Sequence, residues 1–318
     1  MNSTHRIIRR FSSNVEKSGF KHIGVVGLGL MGHGIAQMAA KNGFTVTAVE
    51  NKQDALDVGM KRIQTSFSKV VAKDVKTGKK TEAEGKAYYE QTLARIRPST
   101  DIHAVKDCDL VVEAIIEIEK VKLDFYTNLG KIASANTVFA SNTSSLPITN
   151  MALASGRPQQ FVGLHFFNPV QIMKLVEVIR TTHTSPEVFD RVYRFSREIE
   201  KVPVAAKDTP GFIVNRLLVP YMAQAMALVD RGDASVADID EAMKLGAGHP
   251  MGPLTLADYV GHDINYNVMK GWREAYPNEP TFFVPKCLEE LVQKGHLGRK
   301  SGRGFYEWNG DKPGKALF

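Results

Sequence analysis

The feature that most restricts this chain is a glycine-spaced hexapeptide, Gly27-Leu28-Gly29-Leu30-Met31-Gly32, set between two different apolar patterns. Before it, Lys21-His22-Ile23-Gly24-Val25-Val26 is an apolar run of strand length. After it, Ile35-Ala36-Gln37-Met38-Ala39-Ala40 reads as a helix that stops at Asn42-Gly43. Thr45 to Val49 reads as a second strand, with Glu50 at its carboxyl end, 23 positions after Gly27. A GxGxxG alone is a weak signal, but between a strand and a helix, with an acid at that distance, it predicts a dinucleotide-binding unit. Gly27 permits the tight turn, Gly29 lets the backbone approach a pyrophosphate, and Gly32 lets helix and strand pack closely. The phosphates meet free N–H groups and the positive end of the dipole at the helix N-terminus. Glu50 can accept hydrogen bonds from both adenosine ribose hydroxyls and repels a 2′-phosphate. The expected cofactor is therefore NAD rather than NADP, although Lys52 stands close by.

Strand-like runs recur at Leu110–Ala114, Val138–Ser141, Phe161–Leu164, Leu175–Ile179 and Val202–Ala205. Between them Val121, Phe125, Leu129 and Ile132 follow helical spacing, as do Val188, Val192 and Phe195. This alternation implies a largely parallel sheet covered on both faces. Residues 73–90, rich in Lys and Glu, read as a solvated helical arm without a core stripe. At Asp208-Thr209-Pro210-Gly211 the pattern changes: Asp208 or Thr209 can cap a helix and Pro210 suits its first turn. Helical patterns follow at 211–231, 235–245, 253–260, 263–275 and 285–294, with Asp233 and Ser235 where caps are wanted and Gly246, Gly261 and Gly295 where helices stop. The expected architecture is an α/β Rossmann-type NAD-binding domain over 21–207 followed by an all-α C-terminal domain over 208–318.

With 43% hydrophobic and 24% charged residues, the composition is that of an ordinary soluble globular protein. The most apolar stretch, Phe212 to Val229, is interrupted by Asn215, Arg216 and Gln224, so no membrane span is expected. Cys108 and Cys287 lie far apart, outside any metal or redox motif, and read as inert thiols in a reducing compartment. The remaining histidines stand in no ligand spacing, and no metal is expected. The net charge of +7 is too small and too scattered for nucleic acid, but a mild positive bias suits an anionic substrate. Part of it sits in Arg6, Arg9 and Arg10, on a segment that includes Ser3, Thr4, Ser12 and Ser13 and has no acid before Glu16. Residues 1–20 therefore resemble a mitochondrial transit peptide; a disordered tail of a cytosolic protein is the alternative.

A second constellation carries chemistry. Phe161-Val162-Gly163-Leu164-His165 ends a strand, Phe166-Phe167-Asn168-Pro169-Val170 turns the chain, and Lys174-Leu175-Val176-Glu177-Val178-Ile179 returns as a strand. Alternation puts Glu177 on the face of Leu175 and Ile179, where a carboxylate is costly unless paired. The turn can bring it beside His165, leaving one imidazole nitrogen oriented and the other available. Removing hydride from a secondary alcohol requires that the hydroxyl proton leave too. A neutral imidazole is an apt base for it, and a carboxylate fixes its tautomer. From spacing alone, a structural His–Glu pair under a loop fits equally well.

The string His165-Phe166-Phe167-Asn168-Pro169-Val170, with Lys174 to Val178 beyond it, resembles the active-site region of the short-chain L-3-hydroxyacyl-CoA dehydrogenases. Further matching strings are Gly27 to Gly32, Asp109-Leu110-Val111-Val112-Glu113-Ala114, Ser141-Asn142-Thr143-Ser144-Ser145, Pro210 to Arg216 and Gly302-Arg303-Gly304-Phe305-Tyr306. They run in order from about residue 21 to 308. The resemblance implies oxidation of (S)-3-hydroxyacyl-CoA to 3-oxoacyl-CoA by NAD in fatty-acid β-oxidation, in the mitochondrial matrix, by a homodimer joined through the C-terminal domain. It makes His165 the base and Glu177 its orienting acid. Ser144 and Asn215 reach the substrate oxygen, and Asn168 supports the site. Gly27, Leu28, Gly29, Leu30, Met31, Gly32 and Glu50 hold NAD, with Glu117, Lys122, Ser144 and Lys300 as further contacts. Ser66 and Lys73 fall where the family's helical arm meets coenzyme A. Glu50 departs from the family, which usually has Asp there. Read without the family, Ser144 could cap a helix starting near Pro147, Asn215 could be a packed core amide and Lys73 a solvated lysine. Two rival functions are a dehydrogenase of a free hydroxy or sugar acid on the same fold and an inactive NAD-binding structural protein.

The leader carries its own prediction. A fusion of residues 1–20 to a fluorescent protein should colocalise with mitochondria, whereas a diffuse cytosolic signal would remove the targeting assignment.

Overall fold

A computed structural model describes residues 16–317. The chain divides into two compact units between Phe212 and Ile213.

The first unit is built on an eight-stranded sheet of order β3-β2-β1-β4-β5-β6-β7-β8. Its strands are β1 (His22–Val26), β2 (Thr45–Val49), β3 (Ile96–Ser99), β4 (Leu110–Glu113), β5 (Val138–Ser141), β6 (Phe161–Phe166), β7 (Leu175–Arg180) and β8 (Val202–Lys207). Neighbours run parallel from β3 to β6; β7 turns back antiparallel to β6, and β8 runs parallel to β7. The helices between the strands are α1 (Gly32–Lys41), α2 (Gln53–Lys76), α3 (Glu82–Ala94), α4 (Glu119–Ile132), α5 (Ile148–Ala154) and α6 (Pro186–Glu198). The central strands read as continuous apolar runs because both faces are covered, and β4 and β5 are buried along their whole length. The short edge strand β3 was not expected. It is Ile96-Arg97-Pro98-Ser99, and the proline that disguises it is tolerated at a sheet edge.

Packing in this unit corrects several expectations. The stretch 73–90 belongs to a longer helix pair, α2 and α3, that does have a core: Phe67 of α2 is fully buried, with the Tyr88 and Tyr89 rings of α3 at 5.3 and 6.0 Å. Gly85 lets α3 close on α2, since a Cβ there would stand 2.8 Å from the Val75 side chain. The face of α4 turned inward is Lys122, Tyr126 and Leu129, while Val121 of the apolar stripe is exposed. Asp208 does not cap a helix that follows it; its carboxylate accepts the N–H groups of Ile148 and Thr149 and caps α5. Phe212 is buried with the first unit, which carries the division a few residues beyond the expected break at 207.

Arg6, Arg9 and Arg10 of the expected leader lie outside the described residues. Residues 18–20, assigned to the same leader, pack into the first unit instead. Ser18 donates from N–H and hydroxyl to the Glu198 carboxylate at 2.6 and 2.9 Å, and Phe20 is buried in the core beneath the Arg191 guanidinium.

The second unit holds α7 (Val214–Arg231), α8 (Val236–Ala247), α9 (Pro253–Val260), α10 (His262–Ala275) and α11 (Lys286–Gln293). Ser235 caps α8 by accepting the Asp238 N–H, and α8 ends on Gly248 at φ +70° rather than at Gly246. An antiparallel hairpin, β9 (Tyr306–Asn309) and β10 (Lys312–Ala316), closes the otherwise helical unit. Buried Asp258 holds it by accepting from the Phe305 and Tyr306 N–H groups and the Trp308 indole. Both cysteines are buried and free, and burial pushes the Cys108 thiol up to about 12. No helix among the described residues is long and apolar enough to cross a membrane, and no cluster of three metal-ligating side chains occurs among them.

If Phe67 is the core of the arm, Phe67→Ala should destabilise it by about 3 kcal/mol, the usual cost of emptying a buried aromatic site. Limited proteolysis within residues 53–94 should speed up accordingly. Unchanged proteolysis would return the arm to a solvated helix pair.

Candidate active site

The glycine loop is shaped by close approach. Gly27 has φ +91°, and a Cβ on it would meet the Ala114 carbonyl oxygen at 2.6 Å. At Gly32 a Cβ would strike the Gly27 oxygen at 1.7 Å. Gly29 faces open space, the condition for a ligand to lie against its backbone. Leu28 is buried, Leu30 is exposed, and Met31 is the residue from which α1 starts. Glu50 accepts the Leu28 N–H at 2.8 Å and so ties the end of β2 to the loop.

Beside these residues lies a cavity of about 590 Å³ lined by Gly27, Glu50, Ile102, Ile116, Val121 and Phe125, among others. It combines apolar walls, a carboxylate and an open glycine backbone, which suits the adenosine and phosphates of a dinucleotide. Val121, exposed on α4, thus has a use as part of this cavity's wall, and half-buried Phe125 lines it while also packing against the core.

His165 and Glu177 stand directly opposite each other in the antiparallel register of β6 and β7. Imidazole Nδ1 lies 2.7 Å from Glu177 Oε2, with the histidine 5% exposed and the glutamate fully buried. An ionised carboxylate only accepts, so Nδ1 donates to Glu177, and in the neutral ring the lone pair is then on Nε2. The rings of Phe167 and Phe212 lie 4.5 and 5.6 Å from the imidazole centre and shield it from water. Asn142, given no role by sequence, accepts the Phe166 N–H at 2.9 Å and fixes the end of β6 to the loop after β5. Asn168 is exposed in the turn between the two strands.

Glu117, Lys122 and Ser144 come together. Glu117 accepts the Ser144 N–H at 2.8 Å, its hydroxyl at 3.3 Å and the Thr143 hydroxyl at 2.5 Å, and lies 3.2 Å from the Lys122 ammonium. Burial pushes the Glu117 carboxyl up, but the Lys122 charge and these hydrogen bonds outweigh it and hold the group below the usual carboxylate range. Lys122 itself is buried, with Nζ 2.5 Å from the Glu113 carboxylate.

Ser66 lines a groove of about 480 Å³ with His33, Lys61, Arg62, Thr65 and Lys69. Lys73 is exposed on α2, seven residues, about two helical turns, beyond Ser66. Sequence reasoning gave no role to Lys61, Arg62 and Lys69, although 61, 65 and 69 recur at one-turn spacing along a helix face. Asn215 and Lys300 belong to the second unit. Asn215 stands in the first turn of α7, and the Lys300 ammonium is bonded to the Asp263 carboxylate.

The chain matches two family models: the 3-hydroxyacyl-CoA dehydrogenase NAD-binding domain over residues 22–209 and the C-terminal domain of the same family over 211–308. The human mitochondrial hydroxyacyl-coenzyme A dehydrogenase is 49% identical over 298 residues, spanning 93% of this chain and 94% of the human one. The pig mitochondrial protein of the same name is 47% identical, spanning 96% of this chain and 99% of its own. Among solved structures, (S)-3-hydroxybutyryl-CoA dehydrogenase from Ralstonia eutropha is 38% identical and superposes with a TM-score of 0.85, covering 92% of this chain and 100% of that one. The chain belongs to the 3-hydroxyacyl-CoA dehydrogenase family, with its NAD-binding domain first and its helical C-terminal domain second.

Proposed function

We propose that this enzyme oxidises (S)-3-hydroxyacyl-CoA to 3-oxoacyl-CoA in fatty-acid β-oxidation, with His165 as the general base. The carrying observation is the buried 2.7 Å contact between His165 Nδ1 and Glu177, which leaves Nε2 as the basic nitrogen. His165 takes the hydroxyl proton as the alcohol is oxidised and returns it in the reverse direction. Glu177 holds the ring in one tautomer and stabilises the imidazolium that forms. Low exposure keeps water from competing for the imidazole and strengthens the pair's electrostatics. Bound NAD⁺ supplies the hydride acceptor. Gly27 to Gly32 would cradle its phosphates, Glu50 its adenosine ribose, and Glu117, Lys122, Ser144 and Lys300 further polar groups. Ser144 and Asn215 are assigned to the substrate oxygen, as the family resemblance implies, and Asn168 to support of the site.

The acyl carrier is read as coenzyme A because α2 presents Ser66 among Lys61, Arg62 and Lys69, with Lys73 beyond them. A free hydroxy acid, with a single carboxylate, lacks the several phosphates that such a row of cations would engage. The mitochondrial matrix is the proposed address: the human and pig relatives are named mitochondrial, and the chain opens with Arg6, Arg9 and Arg10. A homodimer through the helical unit is proposed as well. That unit carries a mainly apolar groove of about 430 Å³ lined by Tyr221, Ala225, Leu228, Ile239 and Met243, among others.

If Lys73 holds an anionic group of coenzyme A, Lys73→Ala should raise KM for acetoacetyl-CoA roughly fivefold, about 1 kcal/mol, the upper range for an exposed ion pair. KM for the N-acetylcysteamine thioester, which lacks the nucleotide, should stay unchanged. Equal effects on both substrates would contradict the coenzyme A assignment.

A further inference from the structure

Glu113 ends β4 inside the string Asp109 to Ala114, and neither the cofactor nor the proton transfer has used it. Its carboxylate is fully buried, a costly placement that needs a full set of partners. It has one. Oε1 accepts from the Lys122 ammonium at 2.5 Å and the Ile115 N–H at 2.8 Å. Oε2 accepts from the Ser141 hydroxyl at 2.7 Å and the Tyr126 hydroxyl at 3.3 Å. These four donors come from β5, from α4 and from the loop between β4 and α4, so one carboxylate gathers the carboxyl ends of two strands and the helix beside them.

The chain of contacts continues to the site. Lys122, 1% exposed, bridges Glu113 to Glu117, and Glu117 in turn holds Ser144 by its N–H and hydroxyl. One ammonium thus serves two carboxylates, and its position is set by the one that cannot move. Packing alone does not call for such a pair, because buried ion pairs are often replaceable by apolar side chains of similar volume without loss of stability. An apolar pair would hold α4 to the sheet but would leave Glu117 without a cation. We infer that Glu113 is a positioning residue for Ser144, acting through Lys122 and Glu117; this rests on the reading of Ser144 as a group that reaches the substrate oxygen.

The test is a double-mutant cycle in kcat for NADH-dependent reduction of acetoacetyl-CoA. It uses wild type, Glu113→Gln, Ser144→Ala and the double variant, with folding checked on each. Measured at saturating NADH, Glu113→Gln should lower kcat at least tenfold, and it should cost less than twofold further in the Ser144→Ala background. Multiplicative losses would overturn the inference and leave Ser144 in place. Near-normal turnover of Ser144→Ala alone would withdraw the reading of Ser144, and the inference with it. Should Glu113→Gln not fold, Glu113→Leu combined with Lys122→Met keeps the interior neutral and apolar. That pair should fold, lose kcat at saturating NADH and lose less than twofold more in the Ser144→Ala background; wild-type turnover from it, or a loss that multiplies with Ser144→Ala, would equally overturn the inference.

Discussion

The site depends on the register of β6 against β7. The two strands pair antiparallel with His165 facing Glu177, and in a sheet the side chains alternate between faces. A slip of one residue would set His165 against Val176 or Val178 and turn the carboxylate toward the opposite face. Glu177 is fully buried, so the register that pairs it is also the register that avoids an isolated buried charge. Pairing and chemistry therefore favour the same alignment. The Phe166 N–H bonded to Asn142 pins the end of β6 to the parallel part of the sheet, so the imidazole is fixed relative to the loop that carries Ser144.

The proposed function calls for two kinds of anion recognition, and they would use different chemistry. At the glycine loop the backbone does the work: Gly29 is open, Gly27 and Gly32 are locked by close approach, and α1 begins at Gly32. On α2 the side chains do it, with Lys61, Arg62 and Lys69 around Ser66. The first arrangement is rigid and specific in geometry. The second presents flexible charges that suit a long, multiply charged carrier.

How far the sequence could be read follows from which interactions are local. The glycine loop, the strand–helix alternation and the turn joining His165 to Glu177 are short-range patterns, and each stands where its residues place it. Features that depend on a distant partner were hidden. The stretch 73–90 reads as solvated because the residue that Tyr88 and Tyr89 pack on, Phe67, lies upstream of it. The inward face of α4 was only half legible: Leu129 of the apolar stripe is buried, but so are Lys122 and Tyr126, which bond to Glu113, while Val121 is exposed beside the cavity at the glycine loop. Pro98 masked an edge strand, and the terminal hairpin depends on Asp258, roughly fifty residues upstream. Glu113 carries no sequence signal of its function, since only its buried partners reveal it.

The central claim is that His165 and Glu177 act as one catalytic unit rather than as a buried structural pair. A double-mutant cycle in kcat with His165→Gln, Glu177→Gln and the combination tests it most directly, with melting temperature followed throughout. The account predicts that His165→Gln lowers kcat by roughly 10²–10⁴, the usual worth of general acid–base catalysis, with NAD affinity near normal. Glu177→Gln should also be severe alone and nearly silent in the His165→Gln background, because residues acting as a unit are strongly non-additive. Fully additive losses, or a well-folded His165→Gln enzyme with near-normal turnover, would contradict it.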